Sequence, residues 1–93
     1  MNDEQADNDR WYVYIIETDD RKLYTGITTD VDRRFEEHTS GKKGARFFRT
    51  ARPVRVIFRE AHQGRSAATK RELAIKKMTR RQKLDLVEQG ADL

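Results

Sequence analysis

Four polar side chains in the first half of the chain have types and a spacing that suit chemistry at a phosphodiester. Tyr14 and Tyr24 stand in two short β-rich segments. Arg34 follows Tyr24 by ten residues, and His38 lies about one helical turn further on. Phosphodiester hydrolysis needs a group that activates water, a cation over the phosphate, and usually a metal held by oxygen ligands. An arginine fork matches phosphate oxygens, and a histidine accepts a proton at neutral pH more readily than an unassisted tyrosine.

Each of these residues also has an ordinary structural interpretation. Strand tyrosines often pack beneath a helix, and single histidines are common at surfaces and helix ends. Arg33 is placed to pair with Glu37 four residues later. Three tyrosines on one strand face favour a site over simple packing.

One carboxylate is placed to hold a metal. Glu72 lies four residues after Ala68 and three before Ile75, beside the apolar stripe of a predicted helix. A carboxylate in that position needs a partner, which is either a metal ion or Lys76 at the i,i+4 position. A single carboxylate with phosphate and water suits Mg²⁺, with Mn²⁺ as the alternative, and zinc is not expected.

A hairpin must bring the two tyrosine segments together. Residues 18–21 have turn chemistry, and a turn centred near Asp19 predicts that Tyr14 lies opposite Tyr24. Alternation puts three tyrosines and a glycine on one face: Tyr12, Tyr14, Tyr24 and Gly26. The other face is apolar and is expected to lie on the core: Trp11, Val13, Ile15, Leu23, Thr25 and Ile27. The tyrosine face is then left for something else to approach.

The next elements position Arg34 and His38 and complete the sheet. Residues 28–30 supply an N-cap for a helix over residues 31–39, which Ser40 and Gly41 end. Its predicted inner face carries Val31, Arg34, Phe35 and His38. In residues 54–59, valine and phenylalanine alternate with arginine and isoleucine, which predicts a third strand just after Pro53.

Two more helices follow. Ser66 is the expected cap of the first, whose apolar residues are Ala67, Ala68, Leu73, Ala74, Ile75 and Met78. A capping box at residues 79–82 begins the last helix, which carries Leu84, Leu86 and Val87 inward and ends at Gly90. The order of elements predicts an α+β fold, with a small antiparallel or mixed sheet and helices packed on it.

Length and composition point to one small domain. The chain has 93 residues, of which 35% are apolar and 39% charged. It has no cysteine, which excludes disulfides, thiolate catalysis and cysteine-rich zinc sites. We expect residues 1–10 to be a disordered acidic tail and residues 11–93 to form the domain. With no signal peptide or long apolar stretch in the sequence, a cytoplasmic protein without a membrane partner is expected.

The distribution of charge favours a polyanionic partner. The net charge is +4, and residues 1–10 contribute −3 of it, so residues 11–93 carry +7. Nucleic acid is the expected partner, while an acidic membrane surface and a merely solvated surface are the alternatives. A basic loop over residues 41–53 contains five cations: Lys42, Lys43, Arg46, Arg49 and Arg52. Phe47 and Phe48 are placed either to stack on an unpaired base or to anchor this loop in the core.

Several motifs, taken in order, resemble the GIY-YIG nuclease family. They are Tyr-Val-Tyr at residues 12–14, Tyr-Thr-Gly ten residues further on, the run at residues 28–34, and the late Glu72. The resemblance covers about residues 11–89 and is closest to the small standalone bacterial branch. It implies a three-stranded antiparallel sheet flanked by helices, and single-metal hydrolysis of DNA.

The resemblance also implies roles for single residues. Tyr14 matches the tyrosine that activates or positions water, and Tyr24 matches the tyrosine that hydrogen-bonds in the same site. Gly26 matches the closing glycine of the second motif. Arg34 matches the arginine that stabilises the phosphoryl transition state, and His38 lies where some members place a residue that assists proton transfer. Glu72 would then bind the metal.

The chain departs from the family pattern near Leu84, where many members carry an asparagine and this chain has Gln82 and Lys83. Lys83 is placed to supply a charge to phosphate. We predict a metal-dependent DNA endonuclease of repair or processing, acting on single-stranded or branched DNA. Its predicted DNA-binding residues are Lys42, Lys43, Arg46, Arg49 and Lys83. The alternatives are a non-catalytic nucleic-acid-binding module and an accessory protein whose partner supplies specificity.

Overall fold

The computed structural model describes residues 10–41 and 51–90, which form one sheet and the helices that cover it. The strands are β1 (Arg10–Thr18), β2 (Leu23–Thr28) and β3 (Pro53–Gln63); the helices are α1 (Val31–Ser40), α2 (Arg65–Lys76) and α3 (Arg80–Gln89). All neighbouring strands are antiparallel, in the order β2-β1-β3. The predicted α+β fold, with a three-stranded antiparallel sheet and three helices, is confirmed. The first strand already includes Arg10, while the rest of the predicted tail and residues 42–50 of the basic loop lie outside the described residues.

The register of the β1–β2 hairpin differs from the prediction by two residues. Tyr14 lies opposite Gly26, and Tyr24 lies opposite Ile16. The prediction that the two tyrosines pair directly was therefore wrong. The turn is centred one residue later than expected, because the Thr18 hydroxyl accepts a hydrogen bond from the Lys22 backbone N–H at 2.9 Å. A shift of two residues keeps every side chain on its predicted face, since strand side chains alternate with a period of two.

A β-bulge in β3 divides its apolar residues between the two faces of the sheet. The register changes from Ile15 opposite Phe58 to Ile16 opposite Val56, so that Ile57 is the extra residue. The simple alternation predicted for β3 put Val56 and Phe58 on one face, which was wrong. The bulge turns Phe58 toward Ile15 and Val56 toward Ile16.

Helices cover both faces of the sheet. On the predicted apolar face, Val13 and Ile15 pack with residues of α2 and β3. On the tyrosine face, Tyr14 and Ile16 pack against Val31 of α1, and the ring of Tyr14 is only 1% exposed. The element that approaches the tyrosine face is therefore α1. Helix α1 covers it because its apolar and aromatic residues recur at helical spacing on one side.

Helix ends follow the predicted signals at α1 and α3 but not at α2. Asp30 caps α1 by accepting a hydrogen bond from the Arg33 backbone N–H at 3.0 Å. Both bonds of the capping box at the start of α3 are formed. Helix α2 begins at Arg65, directly after Gly64, whose φ of 88° is favourable only for glycine. The prediction that Ser66 caps this helix was wrong.

One leucine of α2 and one leucine of α3 are exposed. In α2 the buried residues are Ala68 and Ile75, whereas Leu73 is 52% exposed. In α3, Leu86 and Val87 pack on the core and Leu84 is 38% exposed. The predicted inward position of Leu84 was wrong, because this residue lies beside the stripe of α3 that packs on the core. Within residues 10–41 and 51–90, no helix has the length and apolar character needed to cross a bilayer.

Candidate active site

The hydroxyl of Tyr14 is the centre of a cluster of polar side chains between the sheet and α1. It lies 3.0 Å from Nε2 of His38. The side chains of Arg34 and Tyr24 also interact with this hydroxyl. The three rings are close to one another: the Tyr24 and His38 centroids are 5.4 Å apart, and each lies 6.2 Å from the Tyr14 centroid. The structure therefore brings together all four of the predicted catalytic residues.

The cluster follows from the packing of α1 on the sheet. Tyr14 lies in the central strand, and Tyr24 lies diagonally across from it on β2. Arg34 and His38 are one turn apart on α1, on the face that begins with buried Val31. Because α1 lies over the tyrosine face, its turn at Arg34 and His38 meets the two phenols.

Gly26 makes room for the Tyr14 phenol. The two residues are opposite each other, and a Cβ built on Gly26 would lie 2.7 Å from the Tyr14 hydroxyl oxygen and 2.9 Å from Cζ. Contacts this short require one group to move. The reason for a glycine here is therefore steric, since the Tyr14 side chain lies across the backbone of β2.

Burial sets the protonation states of the central pair. It raises the pKa of Tyr14 well above its ordinary value, and Tyr24 raises it further, while Arg34 opposes the rise. Burial also lowers the pKa of His38 to about 4, with the positive charge of Arg34 acting in the same direction and Glu37 against it. At neutral pH the phenol is therefore protonated and the imidazole is neutral. In the tautomer that carries the ring proton on Nδ1, the Tyr14 O–H donates this hydrogen bond to Nε2 of His38.

Glu37 belongs to the site, although sequence reasoning assigned it only a pairing with Arg33. Its carboxylate lies 2.8 Å from a terminal nitrogen of Arg34, and both side chains are about one quarter exposed, at 26% and 28%. Burial alone would lower the pKa of Arg34, but the hydrogen bond to Glu37 and the interaction with Tyr14 raise it. The guanidinium therefore stays charged and is held in place. The i,i+3 spacing between Arg34 and Glu37 was the signal available in the sequence.

Arg59 adds a second cation at the edge of the cluster, and sequence reasoning did not identify it. It lies opposite Tyr14 on β3, and its guanidinium donates to the carboxylate of Asp32 on α1 at 3.2 Å. The Arg59 side chain is 50% exposed. Arg59 therefore places a second positive charge on the sheet face that carries Tyr14.

The structure places Glu72 apart from the tyrosine cluster. It lies on α2 between Ala68 and Ile75, and this helix packs on the face of the sheet opposite Tyr14. Its side chain is 15% exposed, and its carboxylate lies 3.2 Å from Nζ of Lys76. Among the residues that the structure describes, no three or more histidine, aspartate or glutamate side chains are grouped closely enough to hold a metal. A single carboxylate such as Glu72 fits Mg²⁺, which is often bound by one or two carboxylates and keeps several waters.

The predicted DNA-binding residues fall into two groups. Lys83 lies on α3 beside Lys22, Leu23 and Arg80. Four of the five cations of the basic loop lie outside the described residues, and their role stays a prediction: Lys42, Lys43, Arg46 and Arg49.

The chain is similar to a known protein family. The family model of the GIY-YIG catalytic domain matches residues 10–85. A UPF0213 protein of Desulfotalea psychrophila is 48% identical over 84 residues, which cover 90% of this chain and 76% of that protein. The UPF0213 protein YhbQ of Escherichia coli K12 is 47% identical over 81 residues, or 87% of this chain and 80% of that one.

A solved structure is also similar. The solution NMR structure of a UPF0213 protein from Bacillus halodurans has 43% sequence identity and a TM-score of 0.55, over 85% of this chain and 83% of that one. The resemblance found in the sequence is thus confirmed: the chain belongs to the GIY-YIG catalytic-domain family and is similar to the small UPF0213 proteins within it.

Proposed function

We propose that the protein is a metal-dependent endonuclease that hydrolyses DNA phosphodiester bonds, in DNA repair or processing. The observation that carries this proposal is the hydrogen bond between Tyr14 and His38, with Arg34 held beside it. It supplies a proton acceptor and a fixed cation in one place, as hydrolysis of a phosphodiester requires. Membership of the GIY-YIG family supports nuclease chemistry in general.

In this proposal the attacking water loses its proton along a chain of hydroxyl groups. Tyr24 is half-buried, whereas Tyr14 and His38 are buried, so water reaches Tyr24 first. The water proton passes to the Tyr24 oxygen, the Tyr24 proton passes to the Tyr14 oxygen, and the Tyr14 proton passes to Nε2 of His38. A phenolate at Tyr14 is not needed as a resting state, which agrees with its raised pKa.

Substrate binding strengthens His38 as the acceptor. The charge of Arg34 is one cause of the low pKa of His38. A bound phosphate places negative charge on Arg34, which reduces that effect and raises the pKa of His38. The imidazole is therefore a weak base in the free protein and a stronger one when the phosphate is in place.

Glu72 is the proposed metal-binding residue. Mg²⁺ held by Glu72 would supply positive charge to a phosphate of a strand that also reaches α2. The competing partner of Glu72 is Lys76, whose side chain is 49% exposed and can turn into solvent. Mn²⁺ is the alternative ion.

DNA is the proposed substrate, in single-stranded or branched form, and residues 42–50 are proposed to contribute to its binding. Lys42, Lys43, Arg46 and Arg49 supply four positive charges in that segment. A protein partner that contributes specificity is part of the same proposal, because one domain of this size offers little surface for sequence recognition.

A non-catalytic nucleic-acid-binding module is the second candidate, and one observation favours it. The side-chain oxygen of Gln82 accepts a hydrogen bond from the Thr79 backbone N–H at 2.9 Å. The Gln82 side chain therefore caps α3, and it does not take the role of the asparagine that many family members carry in this region.

The test is cleavage of end-labelled single-stranded, duplex, nicked, flapped and four-way DNA, with Mg²⁺ or Mn²⁺. We expect metal-dependent cutting that is lost in Glu72→Gln and Arg34→Ala. The matched control is Glu88→Gln, which changes an exposed carboxylate on α3 and keeps activity. If the wild-type protein cuts no substrate while salt-sensitive DNA binding persists, the protein is a binding module and the endonuclease proposal fails.

A further inference from the structure

A basic cleft lies at the start of β2, outside the tyrosine cluster. It has a volume of about 250 Å³ and is lined by Lys22, Leu23, Arg80 and Lys83. Three of these four residues are cations, and none of the four is a carboxylate. The cleft joins the hairpin end of the sheet to the first turns of α3, so its charges come from two elements that are distant in sequence.

The positive charge of the cleft is poorly compensated. Within residues 10–41 and 51–90, no carboxylate lies at ion-pair distance from the Lys83 ammonium group. Lys22 lies 3.5 Å from Asp20, but the two side chains are 59% and 43% exposed, so water and salt weaken this pair. Arg80 donates one hydrogen bond to the Arg21 carbonyl, which neutralises none of its charge. The nearby carboxylates Glu17 and Asp19 line a neighbouring depression that Arg80 also borders.

An anion in the cleft would reduce the repulsion among these three cations. Within residues 10–41 and 51–90, the lining has no aromatic side chain on which a base could stack and no carboxylate to accept hydrogen bonds from a sugar. The lining residues that the structure describes supply positive charge and the apolar surface of Leu23. These groups suit a phosphate that belongs to a longer chain better than they suit a free nucleotide.

The cleft and the tyrosine cluster lie on opposite sides of one edge strand. Strand β2 is at the edge of the sheet. Leu23 lines the cleft and packs on the core of one face, while Tyr24, the next residue, belongs to the cluster on the other face. Successive residues of a strand are about 3.3 Å apart. A polymer that crosses the edge of β2 therefore reaches both places.

We propose that the cleft formed by Lys22, Arg80 and Lys83 binds a backbone phosphate of the nucleic-acid strand that reaches the tyrosine cluster. This inference rests on the proposed function, because it assigns a second contact to the same substrate. One phosphate lies at Arg34, and another phosphate of the same strand lies in the cleft across the edge of β2. The cleft thereby sets the direction in which the strand crosses the site.

The experiment measures binding of a fluorescently labelled single-stranded oligonucleotide by anisotropy, in EDTA, at several salt concentrations. We expect Lys22→Gln and Lys83→Gln each to weaken binding about fivefold at 0.1 M salt and to lower the log–log salt slope by about 0.7, as for one lost phosphate contact. Lys83→Arg keeps the charge and is expected to retain affinity. The control Lys70→Gln removes an exposed lysine of α2 and is expected to leave both quantities unchanged.

The inference is overturned if Lys22→Gln and Lys83→Gln behave like Lys70→Gln. It is also overturned if the wild-type protein binds inorganic phosphate or a nucleoside monophosphate through Lys83, while neither substitution changes the affinity for the oligonucleotide. That result would identify a site for free phosphate ligands. Thermal unfolding followed by circular dichroism checks that each variant is folded. Since binding in EDTA needs no turnover, a failure to cleave any DNA would refute the endonuclease proposal and leave this result standing.

Discussion

The Tyr14 hydroxyl lies 3.0 Å from Nε2 of His38, although the two residues are 24 positions apart in the chain. Both side chains are almost fully buried, at 1% and 2% exposure. The contact joins the central strand to α1 and holds a neutral imidazole against a protonated phenol. It therefore links the stability of the domain to the chemistry proposed for it.

The burial of His38 predicts that the domain loses stability in mild acid. The pKa of His38 is about 4 in the folded protein, against an ordinary value of 6.5. Between these values the unfolded state binds more protons, so stability is complete above pH about 6.5 and falls as the pH decreases to about 4. A shift of this size corresponds to about 3 kcal/mol of unfolding free energy. The check is to measure the free energy of unfolding in urea between pH 4 and 7.

The control for this effect is His62, which contacts Glu60 on β3. His38→Gln is expected to flatten the pH dependence between pH 4 and 7, whereas His62→Gln leaves His38 in place and keeps the part that His38 contributes. An unchanged pH dependence in His38→Gln would show that another group titrates in this range.

The link between Arg34 and His38 predicts a difference between two pH–rate profiles. The profile of kcat/KM reports the free protein and is expected to fall in acid near pH 4, where His38 becomes charged. The profile of kcat reports the complex with DNA, in which bound phosphate offsets the charge of Arg34. Its acid limb is expected at a higher pH. Coincident limbs in steady-state cleavage assays would contradict the proposed link.

The close approach at Gly26 predicts a coupled pair of substitutions. Gly26→Ala places a methyl group 2.7 Å from the Tyr14 hydroxyl oxygen and displaces the phenol from His38. We expect a loss of about 1 to 3 kcal/mol in unfolding free energy, as for overpacking of a core, and loss of cleavage. Tyr14→Ala removes the whole phenol, including Cζ, which lies 2.9 Å from the same Cβ position. In a double-mutant cycle followed by chemical denaturation, the double variant is therefore expected to lose less unfolding free energy than the two single variants together. Strict additivity would refute the contact.

The pairing of Glu37 with Arg34 predicts a positioning role for Glu37. Glu37→Gln removes the charge partner that holds the guanidinium, and we expect single-turnover cleavage to slow about tenfold, a loss of about 1.4 kcal/mol of transition-state stabilisation. DNA affinity is expected to change little or to increase, since a negative charge is removed near the phosphate. The neighbouring exposed Glu36→Gln is the matched control. Equal effects of the two variants would exclude a specific role for Glu37.

The N-cap of α1 is expected to support both stability and activity. Asp30 accepts a hydrogen bond from the Arg33 backbone N–H in the turn that leads to Arg34. Asp30→Ala is expected to cost about 1 kcal/mol of unfolding free energy, whereas Asp30→Ser keeps a cap and most of that stability. Thermal unfolding and cleavage are measured together. If Asp30→Ala loses stability but cleaves at the wild-type rate, the cap does not position Arg34.

Local patterns were sufficient to predict the elements and the faces that carry the candidate site. Alternation along β1 and β2 placed Tyr14 and Tyr24 on one face, and the spacing of Arg34 and His38 placed both on one side of α1. The cap at Asp30 marked where that helix begins. These features follow from the periods of strands and helices and from side-chain bonds to the nearby backbone, which depend on residues close together in sequence.

Contacts between distant residues decided what the local patterns could not. The Thr18–Lys22 hydrogen bond moved the hairpin register by two residues, and the bulge at Ile57 divided the apolar residues of β3 between two faces. Packing of α1 over the sheet joined Tyr14 to His38.

The sequence by itself determined which residues could act at a phosphate and on which faces they lie, because those follow from composition and periodicity. Only the tertiary structure decided that Gly26 accommodates the Tyr14 phenol, that Glu37 holds Arg34, and that burial keeps His38 neutral. Distances and desolvation depend on how separate elements pack, and no local pattern encodes that packing.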